Sequence, residues 1–174
     1  DLVVSDTALG RIGGLCCSEN TQSLSKFALI AQHEQIHIAA WPSFSMYADI
    51  APMMSGPVNN AVTRAYAVEA QCFVLAPCQV TTQETVDRFC QTDETRALFK
   101  AGGGFARIYG PDGSEIATPL PEDQEGLLYA DIDMTAITLA KVGVDSVGHY
   151  ARSDVTRLQI NRTRRRPMVD LSDE

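Results

Sequence analysis

The chain has 174 residues, 45% of them hydrophobic, and a formal net charge of −8 at pH 7. This length fits one domain with a sizeable core, and the negative charge argues against a nucleic-acid or anionic-membrane partner. No apolar run approaches the ~20 residues of a membrane helix, so we expect a soluble protein. The basic residues near the C-terminus predict a solvated tail; they are Arg162, Arg164, Arg165 and Arg166.

The cysteines predict the compartment. An odd number without the regular spacing of a secreted disulfide scaffold favours free thiols in a reducing environment. We therefore expect a cytoplasmic protein. The five cysteines are Cys16, Cys17, Cys72, Cys78 and Cys90.

Hydrophobic periodicity in the first half of the chain alternates between strand and helix. The predicted elements are strands at 2–5 and 11–16, a helix at about 22–34, a strand at 36–41, a helix at about 59–71 and a strand at 72–76. Alternation of this kind predicts an α/β layered fold. Because strand composition starts with the first residues, we expect the chain to be part of a larger protein.

The second half predicts shorter elements. They are a helical insert at about 82–100, a hairpin of residues 104–109 and 115–117, a strand at 126–133 and a helix at 134–141. Residues 43–57, rich in Pro, Ser, Met and Gly, predict a long loop, and loops of this length often serve function.

Two motifs resemble binding sites, one for zinc and one for phosphate. Residues 33–37 read His-Glu-Gln-Ile-His, the spacing of zinc proteases, but the pattern changes from helix to strand at Ile36, which would separate the two imidazoles. We favour the interpretation that His33 and Glu34 finish a helix while His37 belongs to a strand. Three glycines at 102–104 lack the Gly-Lys-Ser/Thr of a phosphate loop and predict a tight turn. We expect neither a metal nor another cofactor.

The adjacent thiols of Cys16 and Cys17 form the strongest candidate site. A cysteine between the end of a strand and the start of a helix lies near free backbone N–H groups, which favour the nucleophilic thiolate and could stabilise an anion on a substrate. Strand alternation points Cys16 to one face and leaves Cys17 at the turn, so Cys17 is the candidate nucleophile. The alternative is that both are ordinary buried cysteines.

Five ordered blocks carry a resemblance to a known family. They are "GRIGGLCCSEN", "ALIAQHEQIHIAAWPS", "GGGFARIYGPDGSEIATPL", "EGLLYADIDMTAITLAK" and "DSVGHYARSDV". Together they resemble the nitrilase branch of the carbon–nitrogen hydrolase superfamily, in particular bacterial nitrilases. The resemblance covers residues 1–161 and implies the C-terminal half of a four-layer α-β-β-α sandwich. Residues 162–174 would be a basic, then acidic, tail.

The resemblance assigns roles to a few residues. Cys17-Ser18-Glu19 matches the family's Cys-Trp-Glu motif, which makes Cys17 the nucleophile that forms a thioimidate and then a thioester, releasing ammonia and a carboxylic acid. Ser18 and Glu19 would support it, with the Ser18 N–H as an oxyanion donor, although Ser18 replaces the usual Trp. The possible substrate contacts, which could equally be loop packing, are Trp41, Pro42, Ser43 and Met46.

The resemblance also implies what the chain needs. The Glu and Lys of the family's Glu–Lys–Cys triad precede the cysteine by many residues, so we expect this chain to need a missing N-terminal half and to be nearly inactive alone. Expected partners are that half, a small nitrile and further copies in a homo-oligomer that extends into spirals. The alternatives are a non-catalytic assembly fragment or truncated paralogue, and an amidase of the same superfamily.

Overall fold

The computed structural model describes residues 2–46 and 49–163, which contain five strands and five α-helices. Two short 3-10 helices, Cys17–Thr21 and Pro52–Met54, complete the regular structure of these residues. The elements are Ser5–Thr7 (β1), Gly10–Cys16 (β2), Ser23–Ile30 (α1), Ile36–Ala40 (β3), Gly56–Ala70 (α2), Phe73–Ala76 (β4), Gln83–Phe89 (α3), Asp93–Leu98 (α4), Arg107–Tyr109 (β5) and Thr135–Gly143 (α5).

All five strands form one sheet in the order β1-β2-β3-β4-β5. The three central strands are parallel, and the edge strands β1 and β5 pair antiparallel. Helices α1 and α2 provide the crossovers that parallel neighbours require. The α/β fold expected from the sequence is therefore confirmed, and the carboxyl ends of β2, β3 and β4 meet at one edge.

Helices α1 and α2 cover one face of the sheet. Alternate residues of the central strands point to this face and are buried against apolar side chains of both helices. The main members of this core are Leu15, Ala39 and Val74 from the strands and Leu29, Ile30 and Ala67 from the helices.

The opposite face of the sheet is incompletely covered. Gly14 is exposed, and Ile38 and Leu75 are only half-buried. A cavity of about 280 Å³ lies against Ile38 and Leu75, and beside it Leu127 is 75% exposed. The described residues thus form one sheet with α1 and α2 on one face, and the expected four-layer α-β-β-α sandwich stays a prediction.

Several predicted boundaries were wrong. Helix α2 begins three residues earlier than expected, because Ser55 caps it and Pro57 suits a first turn. Helix α1 ends at Ile30 and the chain turns at His33, whose φ is 57°. The predicted insert divides into α3 and α4, since Thr92 starts a new helix with its side-chain oxygen accepting from Thr95 N.

Three of the predicted strand segments are absent, shortened or shifted in the structure. Residues 126–133 are irregular despite their strand composition, because a strand needs a hydrogen-bonded neighbour and the structure gives them none. The expected hairpin is reduced to β5 and one bridge between Tyr109 and Glu115. The first strand lies at Ser5–Thr7, where Ser5 pairs with Ile12, and not at residues 2–5.

Two expectations concern the surroundings of the protein. Within residues 2–46 and 49–163, no helix is long and apolar enough to cross a membrane. The predicted tail falls mostly outside the described residues, and its described member Arg162 is exposed.

The paired glycines of β2 make room for the neighbouring strand and loop. A Cβ on Gly13 would lie 2.2 Å from the Glu34 carboxylate oxygen Oε1, and one on Gly14 would lie 3.0 Å from the carbonyl oxygen of Ile38. Any side chain at Gly13 would therefore displace a buried carboxylate from its partners.

We predict that Gly13→Ala lowers the free energy of unfolding by about 1–3 kcal/mol, the usual cost of overpacking. Urea denaturation followed by the fluorescence of the single tryptophan, Trp41, measures this change. The matched control is Gly143→Ala, because a Cβ there meets nothing within 4 Å. Equal unfolding midpoints for the two variants would show that Gly13 provides no such space.

Candidate active site

Cys17 lies on a sharp turn where β2 gives way to the 3-10 helix. Its φ is 50°, in the left-handed region that costs a non-glycine residue about 1–3 kcal/mol. Among the residues that the structure describes, His33 and Gln71 are the other non-glycine residues with positive φ, and both follow helices, where a left-handed residue is an ordinary ending. Cys17 instead follows a strand, and strain at such a position often marks a functional residue.

The two neighbouring thiols differ in environment. Cys16 is exposed and Cys17 is half-buried. The helix predicted from about residue 22 begins at Ser23, and the 3-10 helix Cys17–Thr21 lies between it and β2. Cys17 and Ser18 are the first two residues of this 3-10 helix.

Polar side chains fix the turn from outside. The exposed carboxylate of Glu19 accepts a hydrogen bond of 2.8 Å from the Cys16 N–H. The Ser18 hydroxyl lies 3.6 Å from the Cys17 sulfur, and the Thr21 hydroxyl donates to the Ser18 carbonyl at 2.7 Å. Glu19 thus holds the backbone just before the candidate nucleophile.

Asn20 fixes the same turn from inside. Its amide nitrogen Nδ2 donates to the carbonyls of Leu15 and Cys17 at 3.2 and 3.0 Å, and its side chain is buried. Hydrogen bonds of this kind contribute about 0.5–1.5 kcal/mol each, enough for the two together to offset the strained φ of Cys17. The amide oxygen of Asn20 faces Nε2 of His37 at 3.0 Å.

The buried polar chain continues behind His37. Its Nδ1 lies 2.9 Å from a carboxylate oxygen of Glu34, whose other oxygen accepts from the Tyr66 hydroxyl. The rings of His37 and Tyr66 stack with centroids 3.8 Å apart. Burial raises the pKa of the Tyr66 hydroxyl, and the Glu34 carboxylate raises it further. All three side chains are buried in the core.

The sequence pattern does not predict these contacts of His37. Residues 33–37 have the spacing of a zinc motif, and the prediction that His37 belongs to a strand is confirmed. The prediction that His33 and Glu34 finish a helix is wrong, because α1 ends at Ile30. The neighbours of His37 occupy both of its ring nitrogens. Among residues 2–46 and 49–163 there is no group of three or more His, Cys, Asp or Glu that could hold a metal.

Trp41 directly follows β3 and extends its pairing by one parallel bridge to Cys78. Cys16 pairs with Ala40 in the parallel ladder, so the residues that follow them end neighbouring strands at the same edge. The indole N–H of Trp41 donates to the Thr63 hydroxyl at 2.9 Å, and the side chain is only 7% exposed. Trp41 therefore packs in the core, and its role as a substrate contact stays a prediction.

The other possible substrate contacts lie in the loop after Trp41. Pro42 is exposed, Met46 is 42% exposed, and the Ser43 hydroxyl donates to the Gly102 carbonyl at 2.9 Å. Gly102 and Gly103 both have positive φ, as glycines of a tight turn can, and Gly102 forms an isolated bridge with Thr81. The contact of this turn with Ser43 holds the loop, while binding of substrate by these residues stays a prediction.

The chain belongs to the carbon–nitrogen hydrolase family, whose profile matches residues 1–142. It is 54% identical over 168 residues to a nitrilase of Pseudomonas syringae pv. syringae (strain B728a), covering 97% of this chain and 50% of the relative. It is also 50% identical to an arylacetone-specific nitrilase of Alcaligenes faecalis, over 97% of this chain and 48% of that protein. An aliphatic nitrilase of Rhodococcus rhodochrous is 49% identical, with coverages of 97% and 46%.

Solved structures support the fold. A carbon–nitrogen hydrolase from Helicobacter pylori G27 superposes with a TM-score of 0.67 at 17% identity, over 87% of this chain and 49% of that one. The C. elegans NitFhit protein gives 0.65 at 19% identity, over 96% and 35%. The chain thus spans about half the length of the curated relatives it matches. The coverage values give the length of each match and not its position in the relative, so they do not support the expected C-terminal position.

We predict that Glu19→Ala lowers the free energy of unfolding by about 1 kcal/mol, because the Cys16 N–H loses its acceptor. Urea denaturation measures the loss. Glu19→Gln is the matched control, since its amide oxygen still accepts this hydrogen bond. A Glu19→Gln loss as large as that of Glu19→Ala would contradict a role for the acceptor itself.

The buried thiol of Cys72 should make the stability of the protein depend on pH. Burial raises the pKa of its thiol, and the nearby Glu34 carboxylate adds to the rise. Above the ordinary value of 9.0 the unfolded chain therefore loses this proton while the folded chain keeps it. The free energy of unfolding then falls with rising pH, at a limiting slope of roughly 1.4 kcal/mol per pH unit for one group.

We expect Cys72→Ala to make this fall between pH 9 and 10 shallower, as urea denaturation at a series of pH values would show. Val74→Ala, a truncation at another buried position, is the control: it lowers stability without changing the slope. Parallel curves for the unmodified protein and Cys72→Ala would contradict the assignment.

Proposed function

We propose that the chain provides the nucleophile and part of the substrate site of a nitrilase, which hydrolyses an organic nitrile to a carboxylic acid and ammonia. The observation that carries the proposal is the strained Cys17 at the carboxyl end of β2, in a chain 54% identical to a nitrilase. Strand-to-helix turns of this kind present a side chain at the edge of a sheet, where α/β proteins bind ligands.

The proposed reaction has two covalent stages. The sulfur of Cys17 adds to the nitrile carbon, and its proton is delivered to nitrogen, which gives a thioimidate. Addition of one water and departure of ammonia leave a thioester. A second water releases the carboxylic acid and restores the thiol. One nitrile and two waters thus give one acid and one ammonia.

Ser18 and Glu19 support this nucleophile in the proposal. The first N–H groups of a helical turn have no partner within it, which supports the proposal that the Ser18 N–H stabilises charge on the tetrahedral intermediates. A backbone donor does not depend on the side chain, so Ser18 in place of the family's Trp leaves this role intact. Glu19 acts by holding the preceding N–H.

The catalytic base and proton donor come from elsewhere in the proposal. The chain has three lysines, and each forms an ion pair with a carboxylate. The pairs are Lys26 with Glu69, Lys100 with Asp49 and Lys141 with Asp145. None of these pairs includes a residue of the 3-10 helix. We therefore propose that the triad's Glu and Lys belong to the other half of the domain.

We further propose that this chain corresponds to the C-terminal half and that the other half supplies the second sheet of the four-layer sandwich. The incompletely covered sheet face, with Ile38 and Leu75 half-buried, supports this arrangement. Exposed apolar side chains of α2, such as Val58 and Val68, are consistent with a homo-oligomer extending into spirals. Cytoplasmic location and absence of nucleic-acid, membrane and cofactor partners remain part of the proposal.

A chimera tests both the activity and the order of the halves. In one form, the N-terminal half of the Pseudomonas syringae nitrilase precedes this chain; in the other, this chain precedes the C-terminal half of that nitrilase. We expect only the first to release ammonia from an aromatic or aliphatic nitrile. Activity of only the second would reverse the assigned halves, and if both fold without activity, the assembly-fragment alternative is favoured.

In the active chimera, Cys17→Ser should reduce ammonia release by at least about 10³-fold, because loss of the nucleophile removes the covalent route. Cys16→Ser is the matched control and should stay within about threefold, since Cys16 lies in the exposed strand position. Comparable loss in both variants would contradict Cys17 as the nucleophile. Faster hydrolysis of the matching amide than of the nitrile would favour the amidase alternative.

A further inference from the structure

We propose that His37 is a positioning residue for Cys17, acting through Asn20 and held in place by Glu34. The inference rests on the proposed function, because it assigns a purpose to the buried polar chain behind the proposed nucleophile. This chain consists of Asn20, His37, Glu34 and Tyr66 and is defined here as the buried relay.

The orientation of Asn20 determines which nitrogen of His37 carries a proton. Nδ2 of Asn20 donates to two carbonyls, those of Leu15 and Cys17. The amide oxygen must therefore be the atom that faces His37 Nε2 at 3.0 Å. Since an amide oxygen only accepts hydrogen bonds, Nε2 of His37 carries the hydrogen and donates it.

Glu34 holds the other side of the ring. One carboxylate oxygen lies 2.9 Å from His37 Nδ1, and the other accepts from the Tyr66 hydroxyl. A shared proton between Nδ1 and Glu34 completes the contact in either protonation state of the pair. The Tyr66 ring stacks on the imidazole, and Gly13 leaves the space that Glu34 occupies. The ring is therefore fixed with Nε2 aimed at Asn20.

The last contact of the buried relay reaches the candidate nucleophile. Asn20 holds the carbonyl of Cys17, the residue in the left-handed conformation, and that of Leu15 two residues before it. These two anchors bracket the turn and fix the direction in which the Cys17 side chain leaves the backbone. Because every member of the relay is buried, water cannot replace a lost contact without entering the core.

Two substitutions of His37 separate positioning from simple stabilisation. His37→Gln places an amide nitrogen near the position of Nε2 and keeps a donor for Asn20. His37→Asn places its amide nitrogen near Nδ1, which keeps the Glu34 contact and loses the donor for Asn20. Both remove the ring that stacks on Tyr66, so both lose comparable packing.

The readout is alkylation of the full chain by iodoacetamide, followed residue by residue with peptide mapping. The rate at Cys17 is divided by the rate at the exposed Cys16, which serves as an internal reference. Protection of the buried Cys72 reports that the chain is folded. No nitrile is used, so the experiment does not depend on turnover.

We expect His37→Asn to lower the ratio of the Cys17 to the Cys16 alkylation rate by about tenfold, because this variant loses the donor to Asn20. His37→Gln keeps that donor and should leave the ratio within about threefold of its value in the unmodified chain. Equal ratios in the two variants, with Cys72 protected, would overturn the proposal and leave His37 a structural residue. An Asn variant that retains the ratio of the unmodified chain would overturn it as well.

A second measurement covers the case in which both variants unfold. In the unmodified, ¹⁵N-labelled chain we expect the His37 ring to show a protonated, slowly exchanging Nε2, and its signals to shift when Cys17 is alkylated. A proton absent from Nε2, or His37 signals unmoved by complete Cys17 alkylation, would overturn the proposal. If the chimera fails to hydrolyse nitriles while these results hold, the proposed function fails and the positioning of Cys17 stands.

Discussion

The hydrogen bonds from Asn20 to the carbonyls of Leu15 and Cys17 are the constraint on which the site depends. They hold the backbone where β2 ends and place Cys17 in a conformation that costs a non-glycine residue about 1–3 kcal/mol. Asn20 can hold this position because the parallel pairing of β2 with β3 brings His37 beneath it. The sheet, the buried relay and the candidate nucleophile are therefore connected by direct contacts.

The sequence pattern predicts those helices and strands of the site that depend on the local sequence. The apolar run of β3, its stop at Pro42 and the helix before it follow from periodicity, and these elements are confirmed. The turn at Cys17 was also foreseen as the junction between strand and helix. Its left-handed φ was not, because that conformation depends on contacts made across the sheet.

The features that the sequence does not predict correctly depend on tertiary packing and on strand pairing. His37 and Glu34 are three residues apart in a stretch that resembles a zinc motif, and only the burial beneath α2 and the space above Gly13 reveal that they bind each other. Residues 126–133 have strand composition without a neighbouring strand to pair with. In the proposed whole domain, the other half would supply contacts that this stretch and the incompletely covered sheet face lack.

In the proposed reaction, Cys17 becomes covalently acylated during nitrile hydrolysis. The most direct measurement is acid-quenched peptide mass spectrometry of the active chimera during turnover of a nitrile. A mass increase equal to the substrate's acyl group on the peptide containing Cys17, and its localisation to that sulfur by fragmentation, is the predicted result. Turnover with acyl mass only on Cys16 or on another residue, and Cys17 unmodified throughout, would contradict the account.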